Sequence, residues 1–257
     1  MNEKLIESKS NSFFKKLKKI YTSSSFRKIQ EQTILDGIHL IQSFIVNGEP
    51  IAIIRDLSIK NLEIETLISN LNCPCYSLSH ELFLQLSELK SSTGILALVD
   101  TPKIKISKLD GLILLLDGIQ DPGNLGSILR TAKATGVNIV IMSEKCADLW
   151  SPKTLRGSQG VQFFINCIIE QDLKKWISNY PYKVMALSPN GKSLFKHELT
   201  SNMAVLIGSE GSGISNSLFD CISGTISLPM HKDVESINVG AAASTFMYEY
   251  YRQMNVD

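Results

Sequence analysis

The chain has 257 residues, with 26 Lys and Arg against 25 Asp and Glu, a net charge of +1, 44% hydrophobic and 20% charged residues. That composition can bury the core of one large or two ordinary domains. It excludes an acidic disordered chain, a collagen-like chain and a uniformly basic nucleic-acid coat.

The longest aliphatic run, Leu112 to Leu116, is far too short to span a bilayer. The polar N-terminus lacks the apolar core of a signal peptide, so a cytoplasmic location is expected, with no membrane partner. Five scattered cysteines argue against a disulfide framework. Cys73-Pro74-Cys75 has no second pair to complete a zinc site, and no metal is expected. The charge is unevenly spread. Residues 1–30 hold eight basic residues against two acidic ones, a net +6, which leaves −5 on the rest. A basic arm on a mildly acidic body suits contact with a phosphate backbone, and equally a solvated helix face.

In chain order, Phe14, Leu17, Ile20, Ile34, Ile38, Ile41 and Ile45 predict helix from Phe13 to Val46. Residues 51–56 read as a strand, 57–71 as a helix, 75–78 as a strand, 80–89 as a helix and 94–99 as a strand. This first α/β unit ends near residue 102, and the polar stretch 103–110 reads as a linker. Beyond it, strands are expected at 111–117, 138–142, 163–169, 183–188, 203–209 and 225–230. A helix carrying Leu125, Ile128, Leu129 and Ala132 stops at Gly136. The closing helix carries Val239, Ala242, Ala243, Phe246, Met247 and Tyr250 on one face. Aliphatic strands separated by helices imply a mostly parallel sheet covered on both faces.

Three strand-end loops are rich in Gly, Asn, Ser and Pro: 117–126, 208–215 and 228–238. Ligands in open α/β sheets bind beyond such ends. The loops fit neither standard nucleotide fingerprint. Gly191-Lys192-Ser193 lacks the first Gly of a P-loop, and Gly208, Gly211 and Gly213 reverse the dinucleotide spacing. There is no H-x-x-x-H pair and no G-x-S-x-G elbow.

In order, LDGIQDPGNLGSILRTAKATGV (116–137), VLIGSEGSGIS (205–215) and ISLPMHKDVESINVGAAASTFMYEYYRQ (226–253) resemble the three motifs of the SpoU (TrmH-like) ribose 2′-O-methyltransferases of the SPOUT superfamily. RGSQGVQFF (156–164) resembles the segment between the first two, and residues 26–45 more weakly resemble the family's N-terminal domain. The resemblance implies an α/β fold with a C-terminal trefoil knot, a feature that general folding rules make very rare. It implies a catalytic domain over 103–257 and a small RNA substrate-binding domain over 1–102. It implies S-adenosylmethionine as cofactor, a homodimer with the site at the subunit interface, and RNA as substrate. Ribosomal RNA is favoured by the separate N-terminal domain. A tRNA substrate, or a ribosome-assembly factor without catalysis, is the alternative.

By the same resemblance the catalytic residues are Arg130, Asn124, Glu210, Ser236 and Asn238. Arg130 is either the base or, since a guanidinium normally stays protonated, the group that holds the target phosphate or ribose. Asn124 orients Arg130 or the ribose and by sequence is also a candidate helix cap, as is Asn238. Glu210 positions Arg130 and RNA. The cofactor pocket falls to Ile207, Gly208, Glu210 and Gly213, with Ile226, Leu228, Pro229, Ser236, Ile237 and Asn238. RNA contacts fall to Arg130 and Arg156, and on the basic arm to Lys15, Lys16, Lys18, Lys19, Arg27 and Lys28.

Overall fold

The computed structural model describes residues 3–87, 93–103 and 108–255. The chain divides into two units, Met1–Pro102 with Trp150–Phe163, and Lys103–Leu149 with Phe164–Asp257. The first unit begins β1 (Glu3–Ile6), α1 (Ser12–Thr22), α2 (Ser24–Gln30), β2 (Gln32–Asp36) and α3 (Ile38–Ile45). It continues β3 (Ala52–Asp56), α4 (Leu62–Ser69), β4 (Cys75–Leu78), α5 (His80–Phe83) and β5 (Ile95–Asp100). Its sheet runs β1-β4-β3-β5-β2; β1, β4 and β3 are parallel, and β5 is antiparallel to both its neighbours.

The basic stretch is built into this unit rather than hanging from it. Asn11 caps α1, its side chain accepting from the N–H groups of Phe13 and Phe14. Phe14, Leu17, Ile20 and Tyr21 then bury one face of α1 beneath Ile34, Ile54, Leu96 and Leu98. Lys15, Lys18, Lys19 and Lys28 are left exposed and Lys16 half-buried. Arg27 is different. It is 5% exposed, and its Nη1 donates to the carbonyls of Ile20 and Tyr21 at 2.6 and 2.8 Å, satisfying the open end of α1. Unlike the lysines, its guanidinium is thus held within the unit rather than presented on its surface. Arg27→Ala strands those carbonyls, and a stability loss of about 1–3 kcal/mol is expected in denaturant melts, with RNA affinity unchanged.

The expected helix from 13 to 46 is broken by β2. Glu31 turns left-handed at φ 51° and ends α2. Thr33, Ile34, Leu35 and Asp36 are all buried, so this strand shows no alternation to betray it. The short β1 was likewise not expected. Of the helix expected over 80–89, the described part is α5 followed by a turn; 88–89 lie outside the described residues, as do 104–107 of the expected linker.

The second unit opens with β6 (Leu112–Asp117), α6 (Pro122–Ala134) and β7 (Ile139–Ser143). The chain then passes through α7 (Pro152–Ser158), which belongs to the first unit, and returns in β8 (Asn166–Glu170) and α8 (Leu173–Asn179). β9 (Lys183–Ser193), β10 (Met203–Gly208), α9 (Asn216–Phe219), β11 (Gly224–Ser227) and α10 (Val239–Asn255) complete it. All six strands are parallel, in the order β11-β9-β10-β6-β7-β8. Every residue of central β6 is buried, as a strand covered on both faces requires. α6 and α10 pack together, burying Leu125, Ile128 and Leu129 with Ala243, Phe246 and Met247.

The segment 150–163 corrects the sequence reading, which assigned it to the catalytic domain. Leu155 lies in the core with Leu35, Ile41 and Ile53, and the Phe163 ring meets that of Phe44 edge-on at 4.8 Å. The Thr33 hydroxyl donates to the Trp150 carbonyl at 2.6 Å. Arg156 pairs with buried Asp36 at 3.4 Å and donates to the Tyr21 hydroxyl at 3.2 Å. The same Asp36 oxygen accepts from Tyr21 Oη and Ser87 Oγ, each at 2.9 Å. The expected RNA contact Arg156 is thus occupied in a polar network within the first unit.

The end of α10 is also tied down. Glu249 accepts from Arg252 through both carboxylate oxygens, at 2.9 and 2.8 Å, and from Gln253 at 2.8 Å. These hydrogen bonds, Arg252 first, lower its pKa from 4.5 to about 2. A lowered folded-state pKa contributes stability that is present above the unfolded value and is lost as pH falls through the folded one. Between about pH 4.5 and 2 the protein is expected to lose this contribution. Glu249→Gln should flatten that limb of a stability-against-pH curve.

Candidate active site

The two central strands end level, Gly208 opposite Asp117. Asp117 is buried, and its Oδ2 accepts the Ser215 N–H at 2.9 Å, which draws the second loop back over the strand ends. Within that loop Ser209 and Gly213 exchange both backbone hydrogen bonds at 3.0 Å. Gly213 takes φ +65°, and a Cβ on Gly208 would fall 2.3 Å from the backbone C and O of Gly213. Only glycine permits this approach.

A cavity of about 430 Å³ opens between this loop, the 228–238 loop and the start of α10. Such a volume accommodates a small ligand. Ile207 and Gly208 line it from the end of β10, and Glu210 and Gly213 from the second loop. Ile226, Leu228, Ser236, Ile237 and Asn238 line it from β11 and the third loop. Pro229 does not; it faces a neighbouring depression with Phe195, Val234 and Ile237. Sequence reasoning missed Leu187, Ser188 and Pro189, which close one side of the cavity. The turn signal Pro189-Asn190-Gly191 after a predicted strand could have found them.

Above the cavity three side chains form one directed chain of hydrogen bonds. Asp121, not Asn124, caps α6, its Oδ1 accepting the Asn124 N–H at 2.8 Å. The Asn124 side chain is therefore spared the capping role the sequence suggested. Its amide donates to Glu210, and its Oδ1 accepts from Asn238 Nδ2 at 3.0 Å. Asn238 does cap α10, with Oδ1 accepting the N–H groups of Gly240 and Ala241 at 2.9 and 3.2 Å. Capping turns the Asn238 oxygen toward the helix, so its amide faces Asn124, whose amide in turn faces Glu210. Small residues allow the approach: a Cβ on Gly240 would sit 3.1 Å from Asn238 Oδ1 and 3.7 Å from Asn124 Oδ1.

Arg130 stands apart. Six residues beyond Asn124, it lies about 120° around the helix from it. It is exposed, does not line the cavity, and makes no hydrogen bond or ion pair among the described residues. The structure thus brings together Asn124, Glu210, Ser236 and Asn238, and leaves Arg130 facing outward. Among the described residues no group of three or more His, Cys, Asp or Glu is placed to hold a metal, and no helix is long and apolar enough to cross a membrane.

A fully parallel sheet with a cavity among its strand-end loops is the arrangement in which α/β domains take ligands at the carboxyl edge. More particularly, the chain belongs to the SpoU rRNA Methylase family, whose model matches residues 111–248. It is 29% identical over 252 residues to the 23S rRNA (guanosine(2553)-2′-O)-methyltransferase RlmP of Bacillus subtilis, covering 95% of this chain and 98% of that protein. A solved RNA 2′-O ribose methyltransferase superposes with a TM-score of 0.83 at 26% identity, over 97% of this chain and 99% of that one. The SpoU methyltransferase AviRb of Streptomyces viridochromogenes, solved with AdoMet, gives 0.86 at 24% identity over 96% and 99%, and shares the fold.

Proposed function

We propose that this protein transfers a methyl group from S-adenosylmethionine to a ribose 2′-hydroxyl of RNA, with 23S ribosomal RNA as the substrate. The observation that carries this reading is the Asn238–Asn124–Glu210 chain standing over the cavity. When bound, the cofactor supplies an electrophilic methyl group on a sulfonium. The residues present fit it. Ile207, Ile226 and Leu228 offer apolar walls to an adenine ring, and the Gly208–Gly213 approach brings bare backbone to the cavity edge. Glu210 places a carboxylate at the same edge as a cationic ligand requires. Asn124 and Asn238 hold Glu210 in one orientation, so the target ribose meets a fixed acceptor rather than a mobile one.

Arg130, facing away from its own cavity, fits a homodimer in which each site is completed across the interface. Exposed Tyr248 and Tyr251 on α10, with Phe195, Val234 and Ile237, supply apolar surface that a second copy would cover. The reading carries the family's trefoil knot in the C-terminal segment and a cytoplasmic location.

The exposed Lys15, Lys18 and Lys19 of α1 are assigned to RNA backbone contact. Replacing all three with alanine should weaken RNA binding at every sequence and lower the slope of log affinity against log salt by about two to three. S-adenosylmethionine affinity should not change. The reading as a whole is tested by mapping ribose methylation in ribosomal RNA from cells with and without the gene. One methylated nucleotide lost with the gene, and restored by purified protein and labelled cofactor, is the expected result.

A further inference from the structure

β9 does not run straight. It pairs with β11 through Ala186↔Thr225 and then jumps to Lys192↔Ile226, so residues 187–191 are looped out of the ladder. The first three residues of this excursion, Leu187, Ser188 and Pro189, wall the cavity described above. The last two, Asn190 and Gly191, wall a second cavity of about 530 Å³. The partition is thin. A Cβ on Gly191 would fall 2.6 Å from the backbone N and C of Ile226, Ser227 Oγ donates to the Gly191 carbonyl at 2.8 Å, and Ile226 lines both cavities.

The chemistry of the second cavity is anionophilic. Lys183 and Lys192 line it against a single carboxylate, Glu198, with hydroxyls from Thr200, Ser223 and Thr225. His197 lines it too, and its buried Nε2 makes no hydrogen bond among the described residues. The walls are fixed in advance: Gln253 of α10 donates to the His197 carbonyl at 3.0 Å and accepts the Leu199 N–H at 2.9 Å. Ser223 donates its backbone N–H to the Val184 carbonyl at 2.7 Å. Ammonium groups with clustered hydroxyls suit phosphate oxygens.

We propose that this second cavity binds a phosphate-bearing ligand, and that its occupancy is felt in the cofactor cavity through the 187–191 excursion. The coupling half rests on the methyltransferase reading; the binding half does not. Titration calorimetry of the full chain with inorganic pyrophosphate tests both. Saturable binding is expected, weakened about tenfold or more in the Lys183→Ala, Lys192→Ala double variant. Both lysines are exposed, so the variant should keep the parent melting temperature. Saturating pyrophosphate should shift S-adenosylmethionine affinity, and the cofactor should shift pyrophosphate affinity by the same factor.

A short RNA oligonucleotide identifies the source of the phosphate. If it competes with pyrophosphate, the ligand is the RNA backbone; if it does not, the ligand is a free phosphate compound. Absence of saturable pyrophosphate binding, or binding undiminished in the double variant, overturns the site. Pyrophosphate binding with unshifted cofactor affinity overturns the coupling. Failure of the methyltransferase reading has a different signature: no uptake of S-adenosylmethionine while pyrophosphate still binds.

Discussion

Arg130→Ala is expected to lower methyl transfer by at least about a hundredfold while fold and cofactor affinity stay at parent values, because a positioned catalytic group contributes on that scale. The structural half of this expectation is direct. Arg130 is exposed on α6 and touches neither the core nor the cavity, so its removal leaves the packing of Leu125, Ile128 and Leu129 intact. Arg130→Lys separates its two candidate roles. A group that grips a phosphate or ribose keeps part of its function as an ammonium, whereas a base of shifted basicity moves the pH dependence of kcat. Parent activity in Arg130→Ala would remove this residue from the mechanism. Mixing Arg130→Ala subunits with Glu210→Gln subunits extends the test. If sites are completed across a dimer, mixed dimers should recover activity that neither variant has alone.

Gly208→Ala is the second large effect. The added methyl would lie 2.3 Å from the Gly213 backbone and 2.5 Å from the Ile214 nitrogen, and neither is the end of a flexible side chain. The loop must open, breaking the paired Ser209–Gly213 hydrogen bonds that shape the cavity edge. A loss of about 1–3 kcal/mol of stability is expected, as for other overpacked sites. S-adenosylmethionine binding should fall below detection by calorimetry. Gly211→Ala is the matched control in the same loop: its Cβ would meet nothing within 4 Å, and both stability and binding should stay at parent values.

The sequence made the glycine loops legible because their constraint is local: a strand end, a tight turn and a cap each leave a signature within a few residues, as the cap at Asn238 does. The choice of Gly208, Glu210 and Asn238 as site residues within those loops came from the family resemblance. The parallel sheet was legible from local sequence too, since β6 is aliphatic along almost its full length. What stayed hidden depends on distant partners. Arg27 and Arg156 read as solvent-facing cations, yet Arg27 closes α1 and Arg156 meets an aspartate 120 residues away. β2 hid because a strand buried on both faces has no period of its own. Leu187, Ser188 and Pro189 hid because the register jump that lifts them toward the cavity belongs to the pairing with β11, not to β9 alone.

The return of residues 150–163 to the first unit has a bearing on how this chain is made. During synthesis from the N-terminus, residues 1–102 emerge first, but Leu155 and the aromatic contact of Phe163 with Phe44 are then still missing from their core. Asp36 and Tyr21 likewise lack Arg156 until more than fifty further residues have left the ribosome. By then β6, α6 and β7 are already outside. The first unit therefore finishes folding in the presence of a half-made neighbour, whose central strand β6 is apolar on both faces and still lacks β10 beside it. Ribosome-stalled chains ending near residue 110 should accordingly be more protease-sensitive in the first unit than chains ending near residue 200. A fragment cut at 102 should melt at a lower temperature than the same unit within the whole protein.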